Sequence, residues 1–300
     1  DGNIMLSQMM KKQSINRHYA PECKYASYRA KLVEYVRTAA EKLDYSTCTY
    51  FLAISLLDAI LTQYEIAKQQ LKVVCFMVVH MAAKMEERHD RLSGLNVVAQ
   101  LLDDDTTVEQ LKGWELTLGK YLGFKLDLKT PYTFIEYFLS KGIVSNFDIG
   151  KVNEEDTESA LIKFERKLLD FIDISANNYE FNKYAPAVIA AASIACARRN
   201  FGYMNHWPSD LQNLTEQSYE DIKYCARKLY RYYESGGGDC NAVSGKTVSE
   251  LRKASSSHKN GSSDYSLTSA GTVDNFKSAK PCLFGGKSGE TDKSGGRLVK

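Results

Sequence analysis

Long stretches of this 300-residue chain repeat apolar side chains every three to four positions, and no run of period-two alternation competes with them. Residues at that spacing share one face of a helix, so the pattern predicts an all-α protein. Helices are expected at about 26–43, 47–62, 68–85, 94–102 and 106–122. A second set is expected at about 131–141, 158–175, 185–199, 208–214 and 216–234. Start signals are Ser46 or Thr47, Asp105 or Thr106, and Thr130 with Pro131 at the first helical position. Gly123, Gly142 and Gly202 fall where helices should stop.

Two segments, 71–83 and 185–197, are apolar on nearly every face. A helix without a polar face must be surrounded by others, so each segment predicts the central helix of its own bundle. Their separation of about 114 residues implies two tandem five-helix units. The expected divisions are an N-terminal extension (1–24), a first unit (25–129), a second unit (130–235) and a tail (236–300). The tail is Gly-, Ser- and Lys-rich, buries too little apolar area to offset ordering entropy, and is expected to be disordered. Cys282-Leu283-Phe284 is its one apolar spot.

Charge adds little at the level of the whole chain, whose formal net value is +2. Of 39 Lys/Arg and 37 Asp/Glu, 10 and 6 lie after Gly236, leaving 29 against 31 before it. The folded part is therefore near neutral, without the basic stripe that nucleic-acid binding would call for, and no direct nucleic-acid partner is expected. Seven cysteines without a Cys-x-x-Cys pair predict reduced thiols, a nuclear or cytoplasmic setting and no metal site. The longest apolar stretch, 73–83, is too short to span a bilayer, so no membrane partner is expected. Scattered histidines and the lack of a Gly-rich phosphate loop predict a protein that is not an enzyme and needs no cofactor. His80 reads as a core residue.

More informative are four charges inside the apolar stripes of the first unit. Arg29 falls in the stripe Tyr25, Leu32, Val36, and Asp58 in the stripe Phe51, Ile54, Leu61. Lys84 follows Met77 and Met81, and Glu115 lies between Leu111 and Leu118. A buried unpaired charge costs several kcal/mol, so each should have a partner. The simplest assignment makes Arg29–Asp58 a structural ion pair and stands Lys84 and Glu115 together at the edge of the bundle, open to another molecule. The bland alternative sends all four to solvent at the stripe margins.

At these residues the chain resembles the cyclin family, in its cyclin J branch. Tyr28-Arg29-Ala30, Leu56-Leu57-Asp58, Ala82-Ala83-Lys84-Met85-Glu86-Glu87 and Trp114-Glu115 are similar to successive segments of the cyclin box. The run from Thr130-Pro131-Tyr132 to Leu139 and the run Asn182-Lys183-Tyr184-Ala185-Pro186 resemble parts of its second fold. The resemblance covers about 25–235. It implies a non-catalytic subunit that forms a heterodimer with a cyclin-dependent protein kinase and activates it. It also implies that Lys84 and Glu115 meet the kinase and that Arg29–Asp58 is internal. Met81, Met85, Phe124 and Leu126 are then expected to supply the apolar contact. The segment before Tyr25 matches poorly, so no kinase-contacting helix is expected at about 5–15.

A peptide-docking groove found in some relatives would fall on Tyr28, Lys31, Leu32, Tyr35 and Lys72. Lys31 and Lys72 add positive charge there and Thr38 removes a negative one, so the groove is expected to be degenerate toward basic peptides. The rival functions are a transcription-related protein that binds nucleic acid on the same fold and a scaffold that binds no kinase.

Overall fold

A computed structural model describes residues 2–15, 19–102, 106–143 and 154–236. The tail expected to be disordered lies outside the described residues, apart from Gly236. The helices, in chain order, are α1 (Gly2–Ile15), α2 (Arg29–Lys42), α3 (Thr47–Leu61), α4 (Leu71–Glu86), α5 (Leu95–Leu102) and α6 (Val108–Tyr121). They continue as α7 (Pro131–Ser140), α8 (Glu154–Asn177), α9 (Pro186–Asn200), α10 (Ser209–Thr215) and α11 (Tyr219–Glu234). Short 3₁₀ turns intervene, and no β-strand forms among the described residues.

The helix ends follow local chemistry. The Ser46 hydroxyl accepts from the Thr49 amide and starts α3. Thr107, Thr130 and Ser218 form reciprocal capping boxes with Gln110, Thr133 and Asp221. The cap of α6 is thus Thr107, one residue beyond Thr106 and two beyond Asp105, the two expected from the sequence. Helix α11 begins at Tyr219 rather than near 216 because Glu216 has a φ of 53°, which no right-handed helix accommodates.

Each all-apolar segment becomes the buried centre of a bundle. In α4, every residue from Val74 to Ala83 is buried, and the helix packs against α2, α3, α5 and α6. In α9, every residue from Ile189 to Arg198 is buried, against α7, α8 and α11. Burying such side chains contributes about 25 cal/mol per Å² of apolar surface, so each of these helices adds to the cohesion of its own bundle.

Helix α1 was not expected. It packs against α9, with Leu6 and Met9 buried. Gln13 Oε1 accepts the Ala187 amide at 2.8 Å, satisfying an orphan donor in the first turn of α9 that the Ala185 cap cannot reach. Lys12 is ion-paired with Asp127 in the segment joining the units.

Candidate partner-binding site

The fold sends the four stripe charges to two different places. Arg29 opens α2 and Asp58 lies in the last turn of α3, and they meet in the interior. Arg29 Nε donates to Asp58 Oδ1 at 2.7 Å, and Nη2 donates to Oδ2 at 2.9 Å. The Tyr25 hydroxyl donates to Oδ1 at 2.6 Å, and Asn182 Nδ2 donates to Oδ2 at 2.7 Å. Arg29 Nη1 donates to the Ala176 carbonyl at 2.7 Å. With Arg29 only 1% exposed, these charge-assisted bonds offset the desolvation of both ions. Ala176 lies in the last turn of α8 and Asn182 in the 3₁₀ turn after it, so the pair also joins the two units.

A second seam lies beside the first. Arg37 Nη2 donates to the Tyr50 hydroxyl at 2.7 Å and to Asp173 Oδ1 of α8 at 2.8 Å. Sequence reasoning passed over Arg37 and Asp173, and it named Tyr25 and Asn182 without assigning either to Asp58. Arg37 had left one signal: it lies two helical turns beyond Arg29, among Val33, Val36 and Ala40.

Lys84, in the last turn of α4, and Glu115, in α6, pair with each other at the open edge of the first unit. Their side chains are 39% and 28% exposed. Met85, next to Lys84 in the chain, is 48% exposed, and Phe124, just past α6, is 65% exposed. Leu126 is half-buried. Met81 must be removed from the expected contact set, because it is buried in the core of α4 and offers no surface.

One turn before Lys84, His80 is buried with its Nδ1 unpartnered. Burial first, then the nearby Lys84 ammonium, push its pKa below the ordinary 6.5, against a smaller opposing pull from Glu115. At the end of α4, Glu87 Oε1 accepts from the Ser46 amide at 2.6 Å and the Thr49 hydroxyl at 2.7 Å, tying α4 to the start of α3. Burial would raise the Glu87 pKa, but the hydrogen bonds from Thr49 and Ser46, with Arg91, outweigh it and hold it below 4.5.

The expected docking groove is altered in two ways. Leu32 is buried rather than open on a groove floor. Lys72 does not project toward a ligand: its Nζ donates to the Leu102 carbonyl at 2.7 Å, against the negative end of α5. Lys31 is exposed and lies over the half-buried Tyr35 ring at 6.0 Å, while Tyr28 is half-buried. Among the described residues, no group of three or more His, Cys, Asp or Glu could hold a metal ion. No described helix is long and apolar enough to cross a membrane.

Residues 3–127 match the cyclin N-terminal domain, and residues 129–264 match the cyclin C-terminal domain. The chain belongs to the cyclin family. It is 27% identical to cyclin-J of Xenopus laevis over 219 residues, which are 70% of this chain and 55% of that protein. It is 27% identical to cyclin-J-like protein of Mus musculus, over 68% of this chain and 55% of that one. Putative cyclin-B3-1 of Arabidopsis thaliana is also 27% identical, over 69% of this chain and 48% of its own length. This cyclin thus spans about half the length of the relatives it matches. In three dimensions it is similar to a viral cyclin from herpesvirus saimiri, with a TM-score of 0.59 and 13% identity. That likeness covers 76% of this chain and 96% of the viral one, and it is a likeness of fold.

Proposed function

We propose that this cyclin is a regulatory subunit that binds and activates a cyclin-dependent serine/threonine protein kinase in cell-cycle control, in the nucleus or cytoplasm. The observation that carries the reading is the partly exposed Lys84–Glu115 pair, with the exposed Met85 next to Lys84 in the chain and the exposed Phe124 just past the end of α6. An ion pair that needed no partner would gain little from a place on the margin of an apolar stripe. Here both side chains are partly exposed, so they can meet backbone or side-chain groups of a second protein. Met85 and Phe124 add apolar area that only a partner would remove from water.

The activation step follows from population shift. A kinase is active when the Glu of its C-helix turns inward to pair with the ATP-binding Lys. A subunit that binds only the inward position favours it by the difference in its affinity for the two states. The test is co-purification with a panel of cyclin-dependent kinase catalytic subunits, followed by phosphorylation of a histone peptide. A partner should be captured and its activity raised by wild-type protein, with both effects lost in the Lys84→Ala/Glu115→Ala double variant. Capture undiminished in that variant would overturn the reading.

A further inference from the structure

Helix α6 ends in a clasp that fixes the Phe124 side chain. The Gly123 amide donates to the Lys120 carbonyl at 3.0 Å, and the Phe124 amide donates to the Gly119 carbonyl at 2.8 Å. This is a Schellman arrangement, in which the residue two beyond the helix cap packs back on the last turn. Gly123 has a φ of 57°, as such a clasp requires. Phe124 also lies in the left-handed region, at 55°, where a residue with a Cβ is strained unless its surroundings hold it.

What holds Phe124 is the absence of a side chain at Gly119. A Cβ placed on Gly119 would stand 2.8 Å from Phe124 Cε1 and 3.1 Å from Cδ1, so the ring rests on bare helix backbone. The clasp usually pairs two apolar side chains at these positions; here one of the pair is glycine. Gly119 is one turn beyond Glu115 on the same face of α6. One edge of the ring is therefore seated against Gly119, one turn from Glu115, with two-thirds of the ring's surface open.

Resting on the kinase-binding reading above, we infer that Gly119 is a specificity-determining position of the partner surface. It sets how closely Phe124 approaches α6, so this cyclin offers a low-lying aromatic surface one turn beyond Glu115. The kinase face it fits is correspondingly flush and apolar at that point, without a deep slot for a projecting ring. A side chain at Gly119 would lift the ring and favour kinases with a different contour.

The test uses the full chain, with kinase catalytic subunits that bind the wild type as probes. Gly119→Ala should weaken binding tenfold or more while the melting temperature holds or rises, since Ala is the better helix former. The Gly119→Ala/Phe124→Ala double variant should bind no more weakly than Phe124→Ala alone, because Gly119 acts through the ring. A ring-current shift at the Gly119 Hα protons, lost in Phe124→Leu, reports the seating without any partner. Should Gly119→Ala destabilise the fold, adding Phe124→Ala restores the melting temperature if the clash is with the ring. Wild-type affinity in Gly119→Ala, additive losses in the double variant, or no ring-current shift would overturn the inference. A chain that binds kinases through Lys84 and Glu115 but ignores Gly119→Ala rejects this inference alone; one that binds no kinase rejects both readings.

Discussion

Arg29–Asp58 and Lys84–Glu115 are similar pairs of opposite charges, on neighbouring helices of one bundle, placed in two different environments. The first is sealed from water and saturated with hydrogen bonds from Tyr25, Asn182 and its own guanidinium. The second reaches solvent at the end of α4. Removing one member of a sealed pair strands the other in a medium that solvates it poorly, whereas water replaces a lost partner at the edge. The sealed pair thus serves the fold, and the edge pair remains available for binding.

The largest effect is expected from Asp58→Ala, which leaves the buried Arg29 without its counter-ion and should cost about 3–5 kcal/mol. Chemical denaturation will read this as a lower midpoint. A midpoint shifted no more than in Lys84→Ala would erase the distinction between the pairs. A smaller loss is expected from Asp173→Ala. It removes a charge-assisted bond across the seam to Arg37, worth about 1.5–3 kcal/mol, and leaves the cores of both units intact. Amide exchange in α8 should quicken before exchange in α4 does; equal acceleration of both would show that the seam is not a separate unit of stability.

Smaller still is the stability change expected from Lys84→Ala or Glu115→Ala, within about 1 kcal/mol. A midpoint that fell as far as in Asp58→Ala would place the edge pair in the fold's interior rather than on its surface.

Much of the architecture is readable in the sequence because it rests on periodicity and on local chemistry. Apolar positions on all sides of α4 and α9 can only mean burial, and Ser46, Thr130 and Gly123 punctuate helices through their own side chains or backbone freedom. Helix α1 was not readable, since it is held by Gln13 and Lys12 reaching partners far along the chain. Asn182 and Ala176 at Arg29–Asp58, and Asp173 at Arg37, are likewise contacts between units, which no pattern within one helix can reveal. At the candidate site, Lys84 and Glu115 were conspicuous as charges among apolar neighbours. Met81 has the same apolar character as Met85, and only the direction of its side chain into the bundle separates the two. Gly119 looked like an ordinary glycine because its role is to leave space for a ring five residues away.

The smallest effect belongs to His80, which stands between the buried and exposed worlds. Its ring is in the core, its Nδ1 has no partner, and the charges that act on it are Lys84 on its own helix and Glu115 on α6. Burial and Lys84 both disfavour the imidazolium, so the folded protein holds His80 below its ordinary pKa of 6.5. The unfolded chain therefore binds the proton more readily than the folded one. It follows that the stability from a neutral His80 is fully present above pH 6.5 and is lost as the pH falls through the lower folded value. Glu87 also favours the fold through a depressed pKa, but its contribution fades only below its ordinary 4.5, so the two windows separate. Denaturation midpoints measured between pH 7.5 and about 5 should fall in the wild type relative to His80→Leu, whose remaining slope carries the opposite contribution of Glu86, held above its ordinary pKa by burial. Since protonated His80 would stand beside Glu115 and compete with Lys84 for it, kinase affinity should weaken over the same interval and lose that dependence in the Leu variant. A His80→Leu protein whose midpoint still falls in parallel with the wild type would assign the slope to another group and leave the edge pair insensitive to its buried neighbour.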